Sequence, residues 1–321
     1  MNSRHTLRYG AAVVTALAVA TTLFGCTPPV SDRPLIVVTT NILGDVVEQI
    51  VGKEAEVMTL MRPDADPHSF EISAQEAAQI LRADLVVSNG LGLEEGLQQH
   101  LEAADDNGVP SVVAGEVVDV LTYSADVGAS AASSTESAES TGAADPHFWT
   151  DPERMIDVVT AVADAITATV DGVDAKTITR QADDYTEQLR ALDEEMVTAF
   201  AAINEGQRNL VTNHHVFGYL AQRFDFTVVG AVIPGGSTLA APSASDLRDL
   251  VTAINNTGVV TIFAESSQPD RLVQVLADEA GLDVAVVELF TESLSEDGAG
   301  ADSYLSMMRT NTERIATGLS P

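Results

Sequence analysis

The chain has 321 residues, 45% of them apolar, 20% charged and 5% aromatic, a globular composition with length for one large domain or two moderate ones. Forty-eight Asp and Glu against 16 Lys and Arg give a formal charge of -32, and so acidic a surface repels phosphate backbones and anionic headgroups, which excludes nucleic acid as a partner. A single cysteine excludes an intramolecular disulfide, a Cys-rich zinc module and a CxxC redox pair.

The first 25 residues carry Arg4 and Arg8 and no acid, then an apolar run from Ala11 to Phe24 that leads into Gly25-Cys26. The run is short for a transmembrane helix and has the make-up of an export signal. Its end resembles a bacterial lipoprotein signal, in which Cys26 becomes the lipidated first residue of the mature chain. The expectation is an extracytoplasmic protein held on the cell membrane by lipid alone, because no later segment is apolar for long enough to span a bilayer. Residues 26–34, with three prolines, read as a tether.

From residue 35 short β-branched runs alternate with longer segments of helical period, which predicts an α/β fold with parallel strands. Strands are expected at 35–39, 55–60, 85–88 and 111–113, and Ser73-Ala74-Gln75-Glu76 has capping-box spacing for a helix that ends near Arg82. Residues 124–144 are rich in Ser, Ala, Gly and acids without apolar period and read as a mobile loop. From 152 to about 203 helix formers dominate, and Asp171-Gly172 breaks the stretch in two. The second piece, 175–203, is long enough at about 40 Å to join two lobes. Further strands are expected at 209–212, 227–232, 259–264 and 284–288. The expected layout is an N-terminal lobe at 35–170, a linking helix at 171–204 and a C-terminal lobe at 205–321.

Six histidines stand at 5, 68, 100, 147, 214 and 215. His5 lies in the signal, and His100 lies in a helical segment where a solvated or half-buried imidazole is expected. The tripeptide Asp-Pro-His occurs twice, at 66–68 and 145–147, and its proline marks a loop that presents the histidine beyond an element. His214 and His215 follow the strand at 209–212, at the kind of strand end where α/β folds gather ligands. Glu292 occupies a comparable loop. Three imidazoles and one carboxylate from loops of both lobes could converge between the lobes as a four-coordinate site for a first-row metal, with His214 and His215 both open for the third position. No zinc-finger, EF-hand or HExxH pattern occurs.

These residues resemble a family, the metal-binding lipoproteins of bacterial ABC importers that take up zinc and manganese. The resemblance lies in Pro63-Asp64-Ala65-Asp66-Pro67-His68-Ser69-Phe70-Glu71, Asp145-Pro146-His147-Phe148-Trp149-Thr150-Asp151-Pro152, the stretch from His214 to Phe217-Gly218-Tyr219, Phe263-Ala264-Glu265-Ser266 and Phe290-Thr291-Glu292-Ser293-Leu294. It covers essentially the whole mature chain. It implies two (βα) lobes joined by one long rigid helix, with a divalent metal held in the interlobe cleft by His68, His147, His214 and Glu292. The family pattern puts the third ligand three residues before the aromatic that is Phe217 here, which selects His214 over His215. The implied partners are an ABC permease and its ATPase, and the chain is expected to act as a monomer.

A rival reading is a metal-dependent hydrolase, since three His and a carboxylate can also hold catalytic zinc. Four protein ligands leave little room for a bound water, and no base-bearing helix is evident, so binding is expected and not catalysis. A binding protein for a larger organic solute would call for more aromatic lining. Imidazole donors favour zinc, with manganese as the alternative should Glu292 bind through both oxygens. Glu265, at a strand end, is a candidate to hold a ligand imidazole in one tautomer.

Overall fold

A computed structural model describes residues 33–123, 142–233, 235–267, 273–274, 276–277 and 284–320. The export signal, Cys26, the tether up to Asp32 and the stretch 124–141 lie outside the described residues. The first half builds β1 (Leu35–Val38), α1 (Asn41–Val51), β2 (Glu56–Thr59), α2 (Ala74–Ile80), β3 (Leu85–Ser88), α3 (Gln98–Asp106) and β4 (Ser111–Val113). Its four strands are parallel in the order β2-β1-β3-β4. Two helices follow, α4 (Pro152–Thr169) and α5 (Ala175–Ala201). The second half builds β5 (Asn209–Thr212), α6 (Gly218–Phe224), β6 (Thr227–Ala231), α7 (Ala244–Thr257), β7 (Thr261–Glu265), β8 (Ala285–Leu289) and α8 (Tyr304–Gly318). Its sheet is again parallel, in the order β6-β5-β7-β8.

Parallel strands are covered on both faces, which is why β1 reads Leu-Ile-Val-Val without polar alternation. Successive side chains still point to opposite faces. Ile36 and Val38 enter the main core, while Val37 joins an outer cluster with Ile80, Val86 and Leu97. The second sheet repeats the division: Leu210 and Phe263 enter the main core, and Val211, Ile262 and Ala264 pack outward with Leu250 and Ile254. Both sheets therefore share one core, which lies inside a single compact unit from Arg33 onward.

The helix between them supplies the middle of that core. Asp174 opens α5 by accepting from Lys176 N at 3.1 Å, and the 27-residue helix extends about 40 Å. Ile178, Ala182, Tyr185, Leu189, Leu192, Met196 and Phe200 recur at helical spacing and are buried along it. α5 packs on α4 and α1 from the first half and on α8 from the second. The capping box expected at Ser73 is present, with Ser73 N donating to Glu76 at 2.6 Å and Glu76 N to Ser73 Oγ at 3.2 Å.

β7 starts at Thr261 and not at Val259, because Gly258 caps α7 in the left-handed region and the next two residues lead out of that cap. The strand runs on to Glu265, one residue past its expected end. No described helix is long and apolar enough to cross a membrane.

Candidate metal centre

The two Asp-Pro-His tripeptides use one local device. Asp66 Oδ1 accepts from His68 N at 2.9 Å and Asp145 Oδ1 from His147 N at 3.0 Å, each an aspartate turning back on the amide two residues on. His68 sits in the loop beyond β2. His147 follows an isolated bridge between Thr122 and Ala144, so no sheet strand precedes it directly. His214 is two residues past β5, where its carbonyl accepts from Thr212 Oγ1 at 2.7 Å. Glu292 is three residues past β8, after Phe290, whose backbone N–H and C=O both bond the Asn311 side chain, at 2.9 and 2.6 Å.

These four side chains meet. His68, His147, His214 and Glu292 are at most 2% exposed, and one ligand atom from each lies within 4.8 Å of every other. Glu292 Oε1 is at the centre, 3.0 Å from His68 Nε2, 3.2 Å from His214 Nε2 and 3.3 Å from His147 Nε2, and the last two nitrogens are 3.3 Å apart. A tetrahedral ion with bonds of about 2.0–2.1 Å separates its ligands by about 3.3–3.4 Å. Those four spacings are close to the edges of that shell, and the two from His68 to the other imidazoles are bounded at 4.8 Å.

The reverse sides of the rings differ. His147 Nδ1 pairs with Asp145 Oδ1 at 2.7 Å, and His214 Nδ1 pairs with the Glu265 carboxylate. A carboxylate only accepts, so each ring carries a proton on Nδ1, which leaves Nε2, facing Glu292, as the nitrogen a metal ion would take in place of a proton. His68 Nδ1 is buried without a hydrogen-bond partner, and the second oxygen of Asp66 accepts from Thr238 Oγ1 at 2.6 Å and Ser69 Oγ at 3.1 Å.

Charge follows this wiring. Burial pulls the His214 imidazole down, but the Glu265 and Glu292 carboxylates outweigh it and hold His214 well above the ordinary histidine value. Burial likewise lowers His147, and its bonds to Asp145 and Glu292 carry it above normal. Glu292 is raised by burial and pulled further the other way by His214, His147 and His68, ending well below an ordinary glutamate. Burial raises Glu265, against the pull of His214.

His215 stands apart from the cluster. Its backbone N–H donates to Gly235 O at 3.0 Å, its ring lies 6.3 Å from that of Tyr123, and burial with His214 alongside lowers its imidazole to about 4. His100, on α3, is half-buried and outside the group.

Sequence reasoning missed the supports. Tyr123 donates to Asp145 Oδ1 at 3.2 Å. Trp149 Nε1 donates to the Thr291 carbonyl at 2.8 Å and so joins the His147 segment to the Glu292 segment. Buried Glu94 accepts from Thr39 Oγ1, Asn89 N and Gly90 N at 2.6, 2.7 and 3.1 Å, and the Asn89 amide donates to Pro146 O at 3.1 Å beside His147. The aspartate two before each histidine was a readable signal; Tyr123 and Glu94 carry none.

Residues 36–318 match the family model described as zinc-uptake complex component A, periplasmic. The chain belongs to this family. It is 28% identical over 290 residues, 90% of each chain, to the manganese ABC transporter substrate-binding lipoprotein PsaA of Streptococcus pneumoniae. It is 26% identical over 325 residues, the whole of both chains, to the iron ABC transporter substrate-binding lipoprotein MtsA of Streptococcus pyogenes serotype M1. The solved periplasmic zinc binding protein TroA of Treponema pallidum superposes with a TM-score of 0.78 at 28% identity, covering 90% of this chain and all of that one. The chain is thus a metal-binding, substrate-binding component of an ABC importer and not an enzyme. The fold shared with TroA is the pair of parallel-sheet lobes expected from the alternating pattern.

Proposed function

We propose that this protein captures zinc outside the cytoplasmic membrane with His68, His147, His214 and Glu292 and hands it to an ABC permease driven by its ATPase. The supporting observation is the convergence of three imidazole Nε2 atoms on one carboxylate oxygen at 3.0–3.3 Å. Buried lone pairs packed so closely call for a cation between them. Three nitrogens and one oxygen suit zinc, whereas manganese favours more oxygen donors and a larger shell. Glu265 and Asp145 act behind the ligands by fixing ring tautomers.

One observation favours manganese as the second reading: Glu292 Oε2 is buried without a partner and is available as a further oxygen donor. The protein works as a monomer, anchored through lipid on Cys26 with 27–34 as its tether.

Competition decides the metal. Apoprotein offered zinc and manganese together at neutral pH is expected to retain zinc at one ion per chain, and His214→Ala to lower zinc affinity by about 100-fold or more while His215→Ala changes it little. Retention of manganese overturns the zinc assignment. Loss of binding in His215→Ala with retention in His214→Ala overturns the ligand set.

A further inference from the structure

Glu292 belongs to the second lobe by chain position, yet Thr291, Ser293 and Leu294 beside it are held from the first. Trp149 Nε1 bonds the Thr291 carbonyl at 2.8 Å, and Asp64 N donates to the Leu294 carbonyl at 2.9 Å. The most connected contact is Asn41, the first residue of α1. Its Oδ1 accepts from Leu294 N at 2.9 Å, and its Nδ2 donates to Ser293 Oγ at 2.8 Å and to the Arg62 carbonyl at 3.1 Å. Arg62 opens the loop that carries His68. One buried amide, 252 residues before Ser293, therefore ties the His68 loop to the Glu292 loop. These two loops supply the 3.0 Å pair of the centre.

We infer that Asn41 is a positioning residue for metal selection: by clamping the Glu292 loop to the His68 loop it presents Glu292 as a one-oxygen ligand, which favours a four-coordinate ion over one that needs more donors. The inference rests on the reading of the four residues as metal ligands. Oε1 of Glu292 faces the three imidazole nitrogens, while Oε2 is buried and unbonded. For Oε2 to become a second donor the carboxylate and the ion must shift relative to each other, and the bonds of Asn41 to Ser293 and Leu294 hold the backbone beside Glu292 against such a shift. An amide suits the task because it donates and accepts at once.

The test compares wild type with Asn41→Ala and with Ser293→Ala, which removes one of the three bonds. Each apoprotein is titrated with zinc, manganese and cobalt(II), and the cobalt complex is read by visible absorption, intense for tetrahedral and weak for five- or six-coordinate ions. Asn41→Ala is expected to lower the zinc-to-manganese affinity ratio by about 10-fold, the size typical of losing a group behind a ligand, and to weaken the cobalt bands. Ser293→Ala is expected to move both in the same direction by less. A general loss of stability would leave ratio and bands unmoved. Folded Asn41→Ala with the wild-type ratio and spectrum overturns the inference; if Asn41→Ala does not fold, an unchanged Ser293→Ala overturns it. Wild-type protein that takes up no cobalt overturns the ligand reading and the clamp together.

Discussion

On the proposed reading, protons and zinc compete for the same nitrogens in the centre. His147 and His214 lie above their ordinary value in the folded apoprotein, so the stability they contribute is fully present below about pH 6.5 and is lost as the pH rises through their raised values. Glu292 lies below its ordinary value, so its contribution is present above about pH 4.3 and is lost as the pH falls through its lowered one. The three together favour the apoprotein in the mildly acidic window. Zinc replaces those protons, so its stabilisation grows with pH. Thermal melts at about pH 6 and about pH 8 should show the apoprotein melting lower at the higher pH and the zinc-induced rise in Tm larger there. The four residues that meet were legible as candidates because proline marks both Asp-Pro-His loops and strand ends collect ligands. Asn41 was not, since its partners are fixed only when the two lobes dock and no local pattern points to them.

At the scale of elements the strands were legible nearly to the residue, because parallel strands buried on both faces leave unbroken β-branched runs between polar loops. The shift of β7 was hidden, as Val259 and Val260 look like strand residues and Gly258 decides otherwise by its left-handed cap. α5 was legible by period, but its place at the centre of one shared core was not, because periodicity reveals a buried face and not what covers it. Leu189 lies in that stripe, fully buried. Leu189→Ala should destabilise the fold by about 2–5 kcal/mol in urea denaturation, with zinc affinity at low denaturant unchanged, since Leu189 makes none of the bonds that hold the four clustered side chains. α6 makes a tighter demand. A Cβ on Gly218 would lie 2.6 Å from Asp145 Oδ2, so Gly218→Ala should disturb the carboxylate behind His147 and weaken zinc binding in a competition titration by about 10-fold.

For the whole molecule, the Ser- and Ala-rich stretch after Tyr123 contains no histidine, and its few acids are expected to act on a cation only through a screened field. Its ends are tied together: Tyr123 N donates to Ala143 O at 3.0 Å and Gly142 N to Tyr123 O at 2.8 Å. Replacing 125–140 by a short turn should therefore leave zinc affinity at about 0.15 M salt within about twofold of wild type in a chelator competition. Cys26→Ala should move the protein from the membrane to the soluble extracytoplasmic fraction and abolish labelling with palmitate.

The undivided core has a thermodynamic consequence for cargo. Lobes with private cores would melt separately, and a bound ion would protect only the parts that touch it. Here the apolar cluster passes from the first sheet through α5 into the second, so melting one half exposes the other and the chain unfolds as one cooperative body. Binding energy spent at four side chains is then distributed over the entire fold, at RT ln(1 + [L]/Kd). A loaded molecule should therefore resist proteolysis throughout the described core, and the emptied one should be cut there sooner.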